Sequence, residues 1–321
     1  MGVILAVKVD VDTYKGYLEG VPRLLKLFDD RDIKATFLFS FGPDNSGKAI
    51  RRIFRKGFLS KMFRTKAPSA YGFRTLLYGT LLPAPMIIDP NPEQFISAVK
   101  SGHDCGVHAW DHVKWQDNIS KLSEEEIFSD FSKAIEIFKK YSGFMPRCCG
   151  APGWQVSEAS LTVQDKLSFD YCSDTRGKNG DMPFLPCFNG KMFHTLQIPS
   201  TLPTLDEVLG VNDINVSNYD SFYIDKLEEG LNVLTIHAEM EGGTLAGAVF
   251  MRFIDNCIGR GVIFKTLCEI ARDYRDKITP TCEVKEGFVS GRAGKVAIST
   301  MHNAQCKMKS KYKSNALNIE H

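Results

Sequence analysis

His108 and His112 stand four residues apart in GHDCGVHAWDH, residues 102–112. Neutral imidazole is a common ligand for divalent metals. On a helix, an i,i+4 pair would share one face and reach a single ion. The spacing alone does not separate a metal site from two polar residues on a helix surface; a third ligand and a catalytic partner would. Asp10-Val11-Asp12, at the end of VILAVKVDV, supplies both candidates. Residues two apart project to the same side of a strand, so both carboxylates can enter one site. Asp12, His108 and His112 then make an Asp/His/His set with an open position, the arrangement that metal-assisted hydrolysis requires. His237, in VLTIHAE, ends another strand-like run and is placed to act as an acid near the same rim.

The elements that must position these residues alternate. VILAVKVDV reads as a buried strand, EGVPRLLKLFDD as a helix and KATFLFSF as a second strand. SEEEIFSDFSKAIEIFKKYSG is the clearest helix: Ser123 and Glu126 form a capping box, Ile127, Phe131, Ile135 and Phe138 make one apolar stripe, and Gly143 suits the exit. LNVLTIHAE, AGAVFMRFIDNCIGRG, VIFK and LCEIARDYRD continue the rhythm as strand, helix, strand and helix. This pattern predicts a parallel sheet or barrel with helices outside. In βα barrels, chemistry sits at the carboxyl ends of the strands, where DVD and His237 fall. Residues 1–300 are expected to form one domain. Residues 301–321 form a polar, lysine-rich tail, expected to be poorly ordered.

One segment breaks the rhythm. Between Asp44 and Asp89 there is no acidic residue, whereas Lys48, Arg51, Arg52, Arg55, Lys56, Lys61, Arg64, Lys66 and Arg74 are all basic. The whole chain carries only +2. Bulky apolar residues such as Phe54, Phe58, Met62 and Phe63 interleave with these charges. A basic amphipathic insertion over about 46–88 reads as a membrane-surface element, with a solvated helical insertion packed on the barrel as the alternative. No nucleic-acid reading motif accompanies the basic residues, so nucleic acid is not the expected partner. Nine cysteines without a CxxC pair are read as reduced thiols. The N-terminus is too short in apolar core for a signal peptide, and no run approaches the roughly 20 apolar residues that span a bilayer. The expected location is the cytoplasmic face of the inner membrane, held peripherally.

The motifs VDVDT, GHDCGVHAWDH, APGW, YCSDTRG and LTIHAE resemble those of the polysaccharide deacetylase (NodB-homology) family, over about residues 3–275. EGVPRLL, FSFGPDN and QIPSTLPTLDEVLG resemble its lipid-carrier branch, whose members deformylate undecaprenyl-phosphate-linked 4-deoxy-4-formamido-L-arabinose. The resemblance implies a distorted (β/α)7-type barrel. It implies Asp10 as general base, His237 as general acid and Asp174 as the carboxylate that orients that histidine. It implies Asp12, His108 and His112 as ligands of a divalent metal, with zinc, manganese, cobalt or iron all compatible with such a set. The implied function is a metal-dependent de-N-acylase that removes a formyl or acetyl group from an undecaprenyl-phosphate-linked amino sugar used for lipid A modification. An N-acetylhexosamine in place of formamido-arabinose, or a catalytically silent sugar- or lipid-binding protein on the same fold, are the alternatives. One departure stands out. The family's RxPxG motif falls on Cys149-Gly150-Ala151-Pro152-Gly153, without the arginine that steadies the base. Arg147 and Arg176 are the candidate substitutes.

Overall fold

The computed structural model describes residues 2–49, 72–275, 277 and 279–300. Residues 50–71, half of the basic insertion, and the tail at 301–321 lie outside the described residues.

The chain opens with β1 (Val3–Val11), followed by α1 (Val21–Asp29) and β2 (Thr36–Ser40). In α1, Pro22 occupies the first turn, where its missing N–H costs nothing, and Val21, Leu24, Leu25 and Phe28 form the buried stripe. Next come α2 (Glu93–Lys100), β3 (Asp104–Ala109), α3 (His112–Asn118) and α4 (Glu124–Ser142). The capping box of Ser123 and Glu126 forms on α4, and Gly143 ends it in the left-handed conformation at φ 82°. Then follow β4 (Cys148–Cys149), α5 (Glu158–Leu167), β5 (Tyr171–Cys172), β6 (Leu185–Phe188), β7 (Lys191–Met192) and β8 (Leu196–Gln197). The chain continues through α6 (Leu205–Val208), α7 (Tyr219–Lys226), β9 (Gly230–His237), α8 (Gly247–Gly259), β10 (Ile263–Phe264) and α9 (Leu267–Arg275). β11 (Thr281–Phe288) and β12 (Lys295–Ser299) come last.

The main sheet is parallel throughout, in the order β8-β5-β4-β3-β2-β1-β9, with short β10 beside the first half of β1. The ring is closed without a regular ladder. Thr201 N and Leu202 N, just beyond β8, donate to Val233 O of β9, and Val233 N donates back to Thr201 Oγ1. The result is the distorted βα barrel that the family resemblance implied, and one of the two arrangements the strand–helix alternation predicted. A second sheet, β12-β11-β6-β7, packs beside it.

Strand alternation divides β1 between two cores. Leu5, Val7, Val9 and Val11 face the helices and join the outer core with Phe37, Phe39, Phe28 and Phe250. Ala6 faces inward with Leu38, Cys148, Tyr171, Leu196 and Val233, closed below by Leu267 and Ile270 of α9. Lys8, Asp10 and Asp12 continue that inward series toward the carboxyl end of the strand, so the period of two delivers three charged side chains to one rim.

Candidate active site

Asp12, His108 and His112 converge, with one ligand atom of each lying within 4.8 Å of the others. His108 Nε2 is 3.1 Å from Asp12 Oδ1, and His112 Nε2 is 3.3 Å from Asp12 Oδ2. The two imidazoles do not share a helix, as the i,i+4 spacing had suggested. His108 lies on β3, Asp111 caps the next helix by accepting from Lys114 N, and His112 is the first residue of α3. A strand end, a turn and a helix start bring the rings to 5.3 Å between centroids. His108 Nδ1 donates to Gly150 O at 2.6 Å, which leaves Nε2 as the nitrogen that faces Asp12. Burial opposes charge on Asp12, but His112 and His108 outweigh it and hold its carboxyl well below the usual range. Two nitrogens and a carboxylate, aimed at one point and oriented from behind, fit a divalent cation.

Asp10, on the same face of β1, is 4% exposed, and its Oδ1 makes no hydrogen bond. Its Oδ2 lies 3.5 Å from Lys8 Nζ. Lys8 is wholly buried and also donates to Ser173 O at 3.2 Å. Lys8 is thus the cation set beside Asp10. Neither arginine expected there pairs with it: Arg147 pairs with Asp170 at the surface, and Arg176 with buried Glu207 at 2.6 Å. The signal for Lys8 was present, since a lysine in an apolar strand run, two residues before Asp10, must point where Asp10 points.

His237 lies beside Asp10 across the β1–β9 pairing, in register with it. Its Nδ1 is buried without a hydrogen-bond partner, and its N–H donates to Glu241 Oε2 at 3.0 Å. Burial pushes the Glu241 carboxyl up to about 7, partly offset by His237. Glu239, 2% exposed, has neither oxygen hydrogen-bonded, and burial, then the Asp12 charge, pushes its carboxyl well above the ordinary range. Asp174, expected to orient His237, places its side-chain hydrogen bonds elsewhere. Its Oδ1 accepts from Ala151 N at 2.7 Å, and its Oδ2 accepts from Gln164 and Gln197 at 2.8 and 3.1 Å. These bonds tie the carboxylate to α5, to β8 and to the loop after β4, the loop whose Gly150 carbonyl orients His108. Cys149 and Cys172 lie beside Asp174, Sγ to Sγ 3.1 Å, and neither is in a disulfide.

Residues 13–172 match the polysaccharide deacetylase family. A Shewanella sediminis (strain HAW-EB3) protein named "Probable 4-deoxy-4-formamido-L-arabinose-phosphoundecaprenol deformylase ArnD" is 37% identical over 291 residues, covering 90% of this chain and 92% of that one. The chain belongs to the polysaccharide deacetylase family. A second relative of the same name, from Wigglesworthia glossinidia brevipalpis, is 34% identical over 281 residues, covering 87% of this chain and 96% of that one. The family fold is shared at greater distance. A Mycobacterium smegmatis structure described as a polysaccharide deacetylase superposes with a TM-score of 0.62 at 17% identity, covering 90% of this chain and 96% of its own. Puue allantoinase does so with 0.57 at 18% identity, covering 85% and 90%. This family member is accordingly a hydrolase of amide carbon–nitrogen bonds. No helix among the described residues is long and apolar enough to cross a membrane.

Proposed function

We propose that this enzyme is a metal-dependent deformylase. Its substrate is 4-deoxy-4-formamido-L-arabinose joined through phosphate to undecaprenol, and its product serves lipid A modification. The observation that carries this reading is the near full-length match to two relatives named for that reaction, with the Asp12, His108 and His112 cluster converged. The same match favours formamido-arabinose over an N-acetylhexosamine. The complete set of acid, base and ligands favours an enzyme over a silent binding protein.

Asp12, His108 and His112 would hold the metal, and a metal so bound polarises the amide carbonyl and promotes ionisation of a water. Asp10, held by Lys8, takes the proton of the attacking water. Attack on the formyl carbon gives a tetrahedral oxyanion. Collapse breaks the C–N bond, and His237 delivers the proton that lets the nitrogen leave as an amine. Formate and a free amino sugar result. That amine is cationic at neutral pH and, once on lipid A, would offset phosphate charge.

The basic insertion would seat the enzyme on the anionic cytoplasmic face of the inner membrane, where the lipid-linked sugar lies. Phe73 and Leu81, which follow the strongly basic half, are 74% and 81% exposed, as a lipid-facing rim requires. The deciding experiment is mass spectrometry of polyprenyl-phosphate sugars incubated with purified protein and metal. Loss of one formyl group from the lipid-linked sugar is expected. Turnover of soluble chitooligosaccharide, with none of the lipid-linked sugar, would overturn the substrate assignment.

A further inference from the structure

A polar cavity of about 310 Å³ opens between α3, the loop after β4 and the turn joining β11 to β12, lined in part by Gln116, Asp117, Gln155, Glu286, Arg292 and Lys295. Two connections tie it to the chemistry. Gln116 follows His112 by four residues on α3, so it stands on the same helix face about one turn, roughly 6 Å, further along. Gln155 follows Trp154, whose indole is surrounded by cations. Lys8 Nζ, the Arg176 guanidinium and the Arg292 guanidinium lie 5.2, 4.7 and 4.6 Å from ring centroids of Trp154. Lys8 in turn touches Asp10.

These cations are unequally matched. Lys8 has Asp10. Arg176 and Arg292 both turn to one oxygen of Glu207, at 2.6 and 3.5 Å. Arg176 takes the short contact and also donates to Leu202 O, yet its buried Nε has no partner. Arg292 is left with the long contact, and its side chain is only 9% exposed. Of the cavity's two acids, Asp117 and Glu286, the second is already within 3.6 Å of Lys295. The loop that supports the stack is held in an uncommon conformation, with Gly153 and Trp154 successive at φ 60° and 52°. For a residue with a side chain that backbone is costly, and its presence in a rim loop is a mark of a functional constraint.

We propose that this cavity is the phosphate subsite, with Arg292 as the residue that binds the phosphodiester linking sugar to lipid. The inference rests on the reading above that the sugar carries a phosphate. Across a pentose ring, the reacting nitrogen and the anomeric phosphate are separated by about one helical turn, the distance from His112 to Gln116. Guanidinium matches phosphate oxygens in a planar fork, and a cation whose counter-charge is shared and distant has that fork available.

The test uses the metal-loaded Asp10→Asn protein, which binds without turning over, in calorimetric titrations. The probes are the formamido sugar as a short-prenyl phosphodiester, its methyl glycoside, and inorganic phosphate. The phosphodiester is expected to bind at least about tenfold more tightly than the glycoside, a difference of about 1.4 kcal/mol. Adding Arg292→Ala should erase that preference, and Arg292→Lys should keep part of it. A merely structural role would weaken both ligands in proportion and leave their ratio unchanged, which overturns the inference. So does equal binding of the two sugars by the Asp10→Asn protein, or phosphate competing as well as the phosphodiester. Wild-type turnover is measured in parallel. A retained phosphate preference without deformylation of either sugar would overturn the deformylase assignment alone, and binding of neither sugar would overturn both.

Discussion

Glu241 offers a quantitative check on the interior of the site. Its carboxyl is 1% exposed, lies four residues beyond His237 and accepts that residue's N–H. Burial raises it from 4.5 to about 7. A raised acid binds its proton more tightly in the folded than in the unfolded chain. Its contribution to stability is therefore complete below about 4.5 and is lost as pH rises through about 7. At about 1.4 kcal/mol for each pH unit, the full loss is roughly 3 kcal/mol. Glu241→Gln keeps the shape and an acceptor for His237 N but removes the charge. Urea unfolding of both proteins between pH 4 and 8.5 should show the variant gaining steadily on the wild type from pH 4.5 to 7, then holding its lead. A stability difference that does not change with pH would refute the buried, proton-binding Glu241 inferred from this geometry.

Three further outcomes are expected. His108→Ala should lose stoichiometric metal and activity while unfolding at nearly the wild-type urea concentration; metal retained at one equivalent would remove His108 from the ligand set. Asp10→Asn and His237→Ala should retain metal and lose roughly two to four orders of magnitude in kcat, and Lys8→Met should lose about two orders without losing metal; wild-type turnover in any of them, read by formate release, would move that role elsewhere. Replacing Arg51, Arg52, Arg55 and Lys56 with glutamate should release the protein from anionic liposomes, because each basic group at such a surface contributes about 1 kcal/mol; unchanged co-sedimentation would end the membrane-surface reading.

Much of the barrel and its rim could be read from the chain because period and position carry the information. VILAVKVDV and LNVLTIHAE are buried strands whose last residues must reach a barrel mouth, and both do. The capping box at Ser123 and Glu126 marked the start of α4 correctly. The i,i+4 rule misled at His108 and His112, because a helix is only one way to bring two side chains four residues apart together. Here a strand end and a cap-initiated helix do it. Asp174 misled for another reason. Its motif position is on the right loop, but its partners, Gln164 and Gln197, come from α5 and β8, and no local pattern announces contacts across such distances in sequence. Lys8 is legible in the chain, since strand alternation alone places it beside Asp10.

The closure of the barrel gives the molecule a clasp. Where β1 meets β9 the two strands run in register over eight residue pairs, from Val3 with Gly230 to Asp10 with His237. Where the ring closes, the backbone bonds of Thr201 and Leu202 both fall on Val233, joined by the Thr201 side chain and by Ser200 Oγ with Thr235 Oγ1 at 2.8 Å. At about 1 kcal/mol for each net hydrogen bond, opening this seam costs far less than unzipping a ladder. Ser200 also receives the Trp154 indole N–H at 3.2 Å. This short seam of the ring is thus fastened to the cations around Trp154. A barrel that breathes would loosen along its short pairings, on the side of the ring where Trp154 stands, leaving the β1 strand that carries Asp10 and Asp12 held on both sides.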